Sequence, residues 1–290
     1  MPVWKAAFYG VIQGITSVLP VSSSGHIALF GRLLGDPSAG TLSFMVYLHI
    51  GTLIAVVRVF RKDILRLVIS CFRILTDLFT DMPVFFRNLF QDGNGALRPI
   101  ARGTYRRFFL ILLLTAVVET GISLIIRNFT FLGVSNLLIT AMGFFVTALL
   151  LFISSYTAAS KNSPAKSGFG DAVLGGVFQG FSAMPGVSRL GMALAAGSLS
   201  GFGKTYLAKY AFLTCISAIA GSMIWVLPSA QAATENSPGT AACITGIIVS
   251  ALVSSAMLRV VRRILSRKTN RMFSVYTVVI GILCIVLYFR

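Results

Sequence analysis

The chain has 290 residues, of which 56% are hydrophobic and 11% are charged, and its mean hydropathy is +0.86. Soluble domains carry about 25% charged residues, so these charges are too few to cover a globular surface of this size. The net charge of +17 would suggest nucleic acid binding in a soluble protein, but the basic residues cluster in short segments between apolar runs. Cytoplasmic loops of membrane proteins have this pattern, so we predict an integral membrane protein that binds no nucleic acid.

In chain order, the first apolar segment is Val3–Leu34, which Gly, Pro and Ser interrupt near its middle. A second interrupted segment, Asp171–Leu199, lies in the other half of the chain. Interrupted backbone at membrane depth survives only where it is buried in protein or lines a wet cavity, so we predict two re-entrant hairpins or broken helices. Six uninterrupted runs approach the roughly 20 residues that a spanning helix needs. These are Leu42–Phe60, Phe108–Ile126, Phe131–Ile153, Tyr206–Leu227, Thr240–Leu258 and Met272–Phe289.

The basic segments set the predicted orientation. The segments Arg58–Arg107 and Arg259–Arg271, together with the loop that contains Lys161 and Lys166, are expected on the inside, which agrees with six spans and puts both termini outside. Within Arg58–Arg107 an amphipathic stretch lying on the anionic inner leaflet is one reading, and an ordinary solvated loop is the other.

The two interrupted segments resemble each other. Gly10–Gly25 reads GVIQGITSVLPVSSSG and Gly176–Gly191 reads GVFQGFSAMPGVSRLG, and seven of the sixteen aligned positions are identical. Three spans follow each copy, and because three is odd the two halves would have opposite orientations. We therefore predict one all-α polytopic membrane domain over residues 1–290, built as an inverted-topology repeat of about 1–155 and 170–290.

Polar side chains cluster in the interrupted segments. Ser22, Ser23, Ser24 and His26 follow a proline, and a helix beginning there would direct free N–H groups toward an anion. The second segment contributes Arg189, whose guanidinium suits phosphate oxygens. Inverted repeats bring such elements together near the midplane, so these residues predict a phosphate or pyrophosphate site in the membrane.

Each of these residues also has a structural reading. Serines in membrane helices often serve close packing, and a buried histidine is often only a satisfied structural residue. Arg189 could cap a helix or extend to the interface. Glu119 is the one acid inside a predicted span, and it is either neutral, paired with Arg127, or turned toward the site. His49, also inside a span, has both a structural and a functional reading.

Three segments resemble a known family. QGITSVLPVSSSGH (Gln13–His26) resembles the signature EGxTEFLPVSSSGH of undecaprenyl pyrophosphate phosphatases of the bacitracin-resistance type. QGFSAMPGVSRLG (Gln179–Gly191) resembles the second signature, QxxAxxPGxSRSG, and LHIGTLIAVVRVFRKDI (Leu48–Ile64) resembles the segment that follows the first. The similarity extends over nearly the whole chain in order and length.

The resemblance implies a multi-pass enzyme of the bacterial inner membrane with its site open to the periplasm. Such an enzyme hydrolyses C55 isoprenyl pyrophosphate to the monophosphate, which recycles the carrier lipid for cell-wall synthesis. Carried over by motif, Ser23 and His26 would be the nucleophile and the proton-transfer group. The phosphates would be held by Ser22, Ser24, Ser188 and Arg189. The resemblance also implies a divalent cation, Mg²⁺ or Ca²⁺.

The chain departs from the signatures at its acids. Gln13 and Ser17 stand where the family has glutamates, and Phe44–Val46 lacks a third acid. Gln and Ser cannot act as a base or as a strong ligand for a hard cation, so the metal ligands stay unknown. Three functions stay open: a phosphatase with Glu119 as a substitute acid, a translocator of polyprenyl phosphate, and a non-catalytic lipid-binding homologue or resistance factor. The expected partners are a polyprenyl (pyro)phosphate lipid and the membrane, and a homodimer is an open prediction.

Overall fold

The computed structural model describes residues 1–90, 96, 99–126, 136–157, 163, 164, 166–230, 239–265 and 267–290. Within these residues the regular secondary structure consists of ten helices. Six of the helices are long and apolar enough, by length and composition, to cross a membrane. The chain is therefore an all-α, multi-pass membrane protein, which confirms the predicted fold class.

Each interrupted segment forms two short helices. The first consists of α1 (Val3–Thr16) and α2 (Ser23–Leu33), and the turn between them contains Pro20. Proline lacks an N–H group and disfavours helical backbone in the residue before it, so a helix cannot run through this turn. Side-chain capping starts the second helix, because Ser22 Oγ accepts a hydrogen bond from the Gly25 N–H at 3.3 Å.

Three longer helices follow: α3 (Leu42–Phe90), α4 (Thr104–Ile125) and α5 (Leu137–Ser155). The helix that contains the first predicted span continues past Phe60, where the predicted span ends, for thirty residues. Phe60 itself is non-helical, with φ −101° and ψ 16°. The charged residues after Phe60 end the apolar run but still favour helix, so composition marked the end of the span and not the end of the helix. The predicted start of the third span at Phe131, and Arg127, lie outside the described residues.

The second half follows the same order. It begins with α6 (Phe169–Phe181) and α7 (Arg189–Leu199), separated by a turn that contains Pro185 and Gly186. Gly186 has φ +84°, which favours glycine, and Ser188 Oγ accepts from the Gly191 N–H at 3.1 Å as the cap of α7. The half is completed by α8 (Lys204–Ala230), α9 (Thr240–Ile264) and α10 (Arg267–Tyr288).

The shared glycines of the repeat lie at helix contacts. Gly10 and Gly14 of α1 pack against α9, where added Cβ atoms would lie 2.9 Å and 2.6 Å from the Cβ atoms of Val249 and Val253. Gly176 and Gly180 of α6 pack in the same way against α4. Small residues four apart allow membrane helices to approach closely. If α1 corresponds to α6 and α9 to α4, these two contacts are equivalent, as a two-fold relation between the halves requires. The inverted orientation of the halves and the re-entry of the hairpins stay predictions.

Candidate functional site

A cavity of about 390 Å³ lies where both interrupted segments meet α3, α4 and α8. Its polar lining comes from both halves of the chain: Thr16, Ser17, Ser23, Ser24, His49, Thr52, Glu119, Thr120, Ser123, Gln179, Ser182, Ser188, Arg189, Ser217 and Ser222. The rest of the lining is mostly apolar, including Leu19, Leu42, Val46 and Phe212. The cavity is therefore a candidate site for a ligand with a polar head and an apolar tail.

Ser23 and His49 form a hydroxyl–imidazole pair in this cavity. Ser23 Oγ lies 3.5 Å from His49 Nε2, and His49 Nδ1 lies 2.6 Å from the carbonyl oxygen of Met45. Because a carbonyl oxygen can only accept, we assign the proton to Nδ1, which leaves Nε2 free to accept from Ser23. A nucleophile, a base and a group that orients the base are the components of an activated serine.

Arg189 brings a positive charge to the cavity, and part of its guanidinium lacks a hydrogen-bond acceptor among the described residues. It is the first residue of α7 and lines the cavity, and its Nη1 atom is buried without a hydrogen-bond partner among the described residues. Leaving a buried guanidinium nitrogen unpaired is costly, so such groups mark binding sites. An anionic ligand in the cavity would satisfy it, and phosphate oxygens match its donors.

Two helix N-termini meet at the same cavity. Ser23 and Ser24 begin α2, Arg189 begins α7, and all three line the cavity. The first N–H groups of a helix carry partial positive charge and lack intrahelical partners, so both ends favour an anion. Ser188 also lines the cavity, while its hydroxyl caps α7.

Glu119 is the one carboxylate among the described lining residues. It is buried on α4, and its Oε2 accepts a hydrogen bond from Ser217 Oγ at 2.9 Å. Arg189 lines the same cavity. Of the three readings that the sequence left open for Glu119, the turn toward the site agrees with its place in the cavity lining, whereas Arg127 lies outside the described residues.

Gln13 and Ser17, which stand where the family signature has glutamates, belong to a network of neutral hydrogen-bonding side chains. Gln13 Nε2 donates to Thr52 Oγ1 at 3.3 Å, and Ser17 Oγ lies 3.0 Å from the same oxygen. The repeat has an equivalent bond, because Gln179 Nε2 donates to Thr214 Oγ1 at 3.0 Å. Ser17 lines the cavity, whereas Gln13 is fully buried behind it. These amide and hydroxyl groups link helices and offer no base.

The side chain of His26 does not line the cavity with the other predicted residues. His26 Nδ1 lies 2.7 Å from the Ser22 carbonyl oxygen, and Nε2 lies 2.8 Å from the hydroxyl of Tyr276 on α10. The two rings are stacked, with centroids 5.8 Å apart. Ser22 also lies outside the lining, and its φ of +64° is the one positive φ of a non-glycine residue in the described part of the chain. In this geometry His26 holds the strained turn that precedes Ser23.

The donor set does not fit a divalent cation held by the protein alone. Mg²⁺ and Ca²⁺ prefer carboxylates and other hard oxygen ligands. Within the described ranges no group of three or more His, Cys, Asp or Glu residues is arranged to hold a metal. Glu119 alone brings a carboxylate to the cavity lining. The divalent cation implied by the resemblance stays a prediction.

Several lining residues were not among the predicted site residues. His49 carried an undecided reading in the sequence, and Thr52 lies one turn further along the same helix. Polar side chains inside a span are functional candidates by default, so their position in the first span was the available signal. Ser217 gave no such signal, because only the fold brings it to Glu119.

Comparisons with known proteins agree with this geometry. The family model described as bacitracin resistance protein BacA matches residues 6–283. An undecaprenyl-diphosphatase of Desulforapulum autotrophicum is 31% identical over 288 residues, which cover 99% of this chain and 98% of the relative. Proteins of the same name from Methanosphaera stadtmanae and Halorhodospira halophila are 30% and 32% identical, over 99% and 95% of this chain and 98% and 94% of the relatives.

The family match thus covers every predicted site residue, nearly all of the two interrupted segments, five of the six long helices and most of the sixth. A match of this extent, together with relatives at this identity, establishes membership. The chain belongs to the bacitracin resistance protein BacA family.

Proposed function

We propose that this chain hydrolyses undecaprenyl pyrophosphate to undecaprenyl phosphate and inorganic phosphate. One observation carries the proposal: Ser23, 3.5 Å from His49 Nε2, shares a cavity with Arg189, whose buried Nη1 lacks a partner among the described residues. An activated hydroxyl beside an anion-binding cation is what phosphoryl transfer requires. The names of the relatives support the same substrate.

Binding of the pyrophosphate would be electrostatic. Arg189 would take two phosphate oxygens, and the N-termini of α2 and α7 would add N–H donors. Ser24 and Ser188, which line the cavity, would complete the contacts. A volume of about 390 Å³ is near the lower end for ligand pockets, so the head enters and most of the prenyl chain stays in the bilayer.

The reaction would proceed in two displacements. Ser23 Oγ attacks the terminal phosphorus, His49 Nε2 takes the hydroxyl proton, and the bond from that phosphorus to the bridging oxygen breaks. Undecaprenyl phosphate leaves, and the phosphoryl group remains on Ser23. Water then attacks this phosphorus, with Glu119 as the base that replaces the missing glutamates. The bond to Oγ breaks, inorganic phosphate leaves, and the proton held by His49 returns to Ser23. Glu119 then releases to solvent the proton that it took from the attacking water.

The cavity would open to the outer face of the bacterial inner membrane. It is lined by residues 42–56 of α3, 119–124 of α4 and 212–222 of α8. The cationic residue Arg61 directly follows the apolar run of α3, and Arg106 and Lys204 lie at the starts of α4 and α8, in each case on the side away from the cavity. Since basic ends stay in the cytoplasm, this arrangement supports a cavity that faces the periplasm.

A second candidate function is translocation of polyprenyl phosphate, and one observation favours it. A cleft of about 650 Å³ lies between the kink of α3 at Phe60, the start of α8 and the last turns of α9, with Lys204, Arg259, Arg262 and Arg263 in its lining. Phe60 of this cleft contacts Phe212 of the central cavity, with ring centroids 5.5 Å apart. Aromatic rings between two phosphate-compatible spaces would suit a gate, and translocation needs no base.

One assay separates the candidates. Purified protein is given C55 or C15 isoprenyl pyrophosphate in detergent, and inorganic phosphate is measured with Mg²⁺, with Ca²⁺ and with a chelator. The phosphatase proposal requires phosphate release above that of Arg189→Gln, and the chelator arm tests the implied cation. Without release, transport of the headgroup in liposomes would support translocation. Absence of both would favour a non-catalytic lipid-binding homologue.

A further inference from the structure

The helix α3 is too long to lie within a bilayer. Its 49 residues extend about 73 Å at a rise of roughly 1.5 Å per residue, whereas the hydrocarbon core is about 30 Å thick. The backbone leaves helical geometry at Phe60, the last residue of the apolar run. Residues 61–90, which we call the α3 extension, therefore begin where the span ends on the basic side of the protein.

One face of the α3 extension is apolar and uncovered. Phe72, Phe79 and Phe86 are 64%, 67% and 50% exposed, and Leu65 and Leu75 are 60% and 42% exposed. Their spacing of three, four and seven residues places them along one side of a helix. Nothing in the described part of the chain covers this side, which is long and rich in phenylalanine.

The opposite side packs against the protein through polar side chains as well as through Ile64 and Leu67. Asp63 Oδ1 accepts hydrogen bonds from Tyr105 at 2.7 Å and from Lys209 at 2.6 Å. Further along the extension Asp77 forms an ion pair with Arg106, which is near the start of α4. A helix in water would bury its apolar side and expose its polar side, so the observed orientation requires an apolar surrounding.

The charges of the extension match an anionic surface. It carries five basic and three acidic side chains, and two of the acids pair with residues of α4 and α8. Arg73 and Arg87 are exposed beside the apolar face, each about 100° around the helix from the phenylalanine that precedes it. Basic side chains beside an apolar helix face attract anionic lipid headgroups of the inner leaflet.

We propose that the α3 extension is a membrane-surface helix, whose apolar face enters the acyl region of the inner leaflet and whose arginines contact anionic headgroups. The partner is a lipid surface, continuous with the lipid that surrounds the six spans. The polar contacts with α4 and α8 hold the extension against the protein. This surface is separate from the central cavity, so the proposal does not depend on phosphate hydrolysis.

Nitroxide labels test this placement. Cys71 on the extension is replaced by Ala, since the other three cysteines are buried, and single cysteines are introduced as Phe72→Cys, Phe79→Cys, Phe86→Cys, Arg73→Cys and Arg87→Cys. The labelled protein is reconstituted in vesicles of phosphatidylglycerol and phosphatidylethanolamine. Collision rates with oxygen, which concentrates in acyl chains, and with a water-soluble nickel complex are then measured by electron paramagnetic resonance.

A surface helix gives a higher oxygen-to-nickel ratio at all three phenylalanine positions than at the two arginine positions, and the three have the same shallow depth. Positions 72 and 73, and positions 86 and 87, are adjacent in the helix, so a difference within either pair cannot come from a local change of the fold. Depth that increases steadily from position 72 to position 86 would mean an upright helix and overturn the proposal. High nickel access everywhere would mean a solvated arm. Low access to both reagents, with spin–spin broadening, would mean that a second copy of the chain covers the face.

Discussion

The hydroxyl of Ser23 lies 3.5 Å from Nε2 of His49, although the two residues belong to different helices, α2 and α3. The contact depends on the turn before α2, where Ser22 adopts a φ of +64° and its carbonyl is bound by His26. In the BacA family member described here, one histidine therefore faces the hydroxyl of Ser23 and the other supports the backbone that presents it.

Replacing His49 with Gln should slow phosphate release. The glutamine can still fill the space, but it cannot take the proton of Ser23, so kcat should fall about 10²- to 10⁴-fold. KM should change little, because the charges that hold phosphate remain. The acid limb of the pH–rate profile should disappear with the imidazole. An unchanged kcat would exclude His49 as the base.

Replacing Tyr276 with Phe should affect the reaction only indirectly, by loosening the position of His26 and of the turn before Ser23, since Tyr276 takes no part in proton transfer. The change removes the donor that lies 2.8 Å from His26 Nε2 and keeps the stacked ring. We expect a loss of about 0.5–1.5 kcal/mol in the free energy of unfolding and a reduced kcat with an unaltered pH profile. His26→Gln should follow the same pattern. A pH profile altered by His26→Gln would instead restore His26 as a proton-transfer group.

Replacing Glu119 with Gln should block the second displacement. The amide oxygen can still accept from Ser217, so the fold should persist, but the group can no longer activate water. The phosphoryl-enzyme should then accumulate on Ser23, detectable as a mass increase of one phosphoryl group after mixing with C15 isoprenyl pyrophosphate. Full turnover by this variant would show that Glu119 has a structural role only.

Much of the fold follows from sequence because membrane helices are long and apolar. Composition and run length predicted six spans, and Pro20 and Pro185 marked the two breaks. The end of α3 was missed, because charged residues end an apolar run without ending a helix. The amphipathic spacing of the residues after Phe60 indicated that a helix continues there, but the sequence alone left a solvated loop as an equal interpretation.

The site was less predictable, because a motif lists residues without their directions. Ser22, Ser23, Ser24 and His26 are neighbours in sequence, yet a helix turns each by about 100°, so only some face the cavity. Ser23 and Ser24 line it, while His26 contacts Tyr276, which is 250 residues away in the sequence. The direction in which each side chain points depends on tertiary packing, which a sequence motif does not contain.

The glycine at position 143 should be required where α5 passes the turn before α7. A Cβ atom there would overlap the Pro185 carbonyl oxygen and lie 2.8 Å from Val187 N. Gly143→Ala should therefore destabilise the protein by about 1–3 kcal/mol, measured as a lower Tm in detergent. Gly121→Ala is the matched control, because no atom lies within 4 Å of its added Cβ. That change should be neutral or stabilise by about 0.5–1 kcal/mol. Equal effects of the two changes would contradict the packing described.

Phosphate release by Ser23→Ala, compared with the unmodified protein and with Ser155→Ala outside the cavity, tests the central claim most directly. The substrate is C55 isoprenyl pyrophosphate, and binding of the substrate is measured in parallel. We predict that Ser23→Ala still binds the lipid through Arg189 but releases no phosphate above background, while Ser155→Ala releases it at the unmodified rate. Release by Ser23→Ala at the unmodified rate would contradict the account.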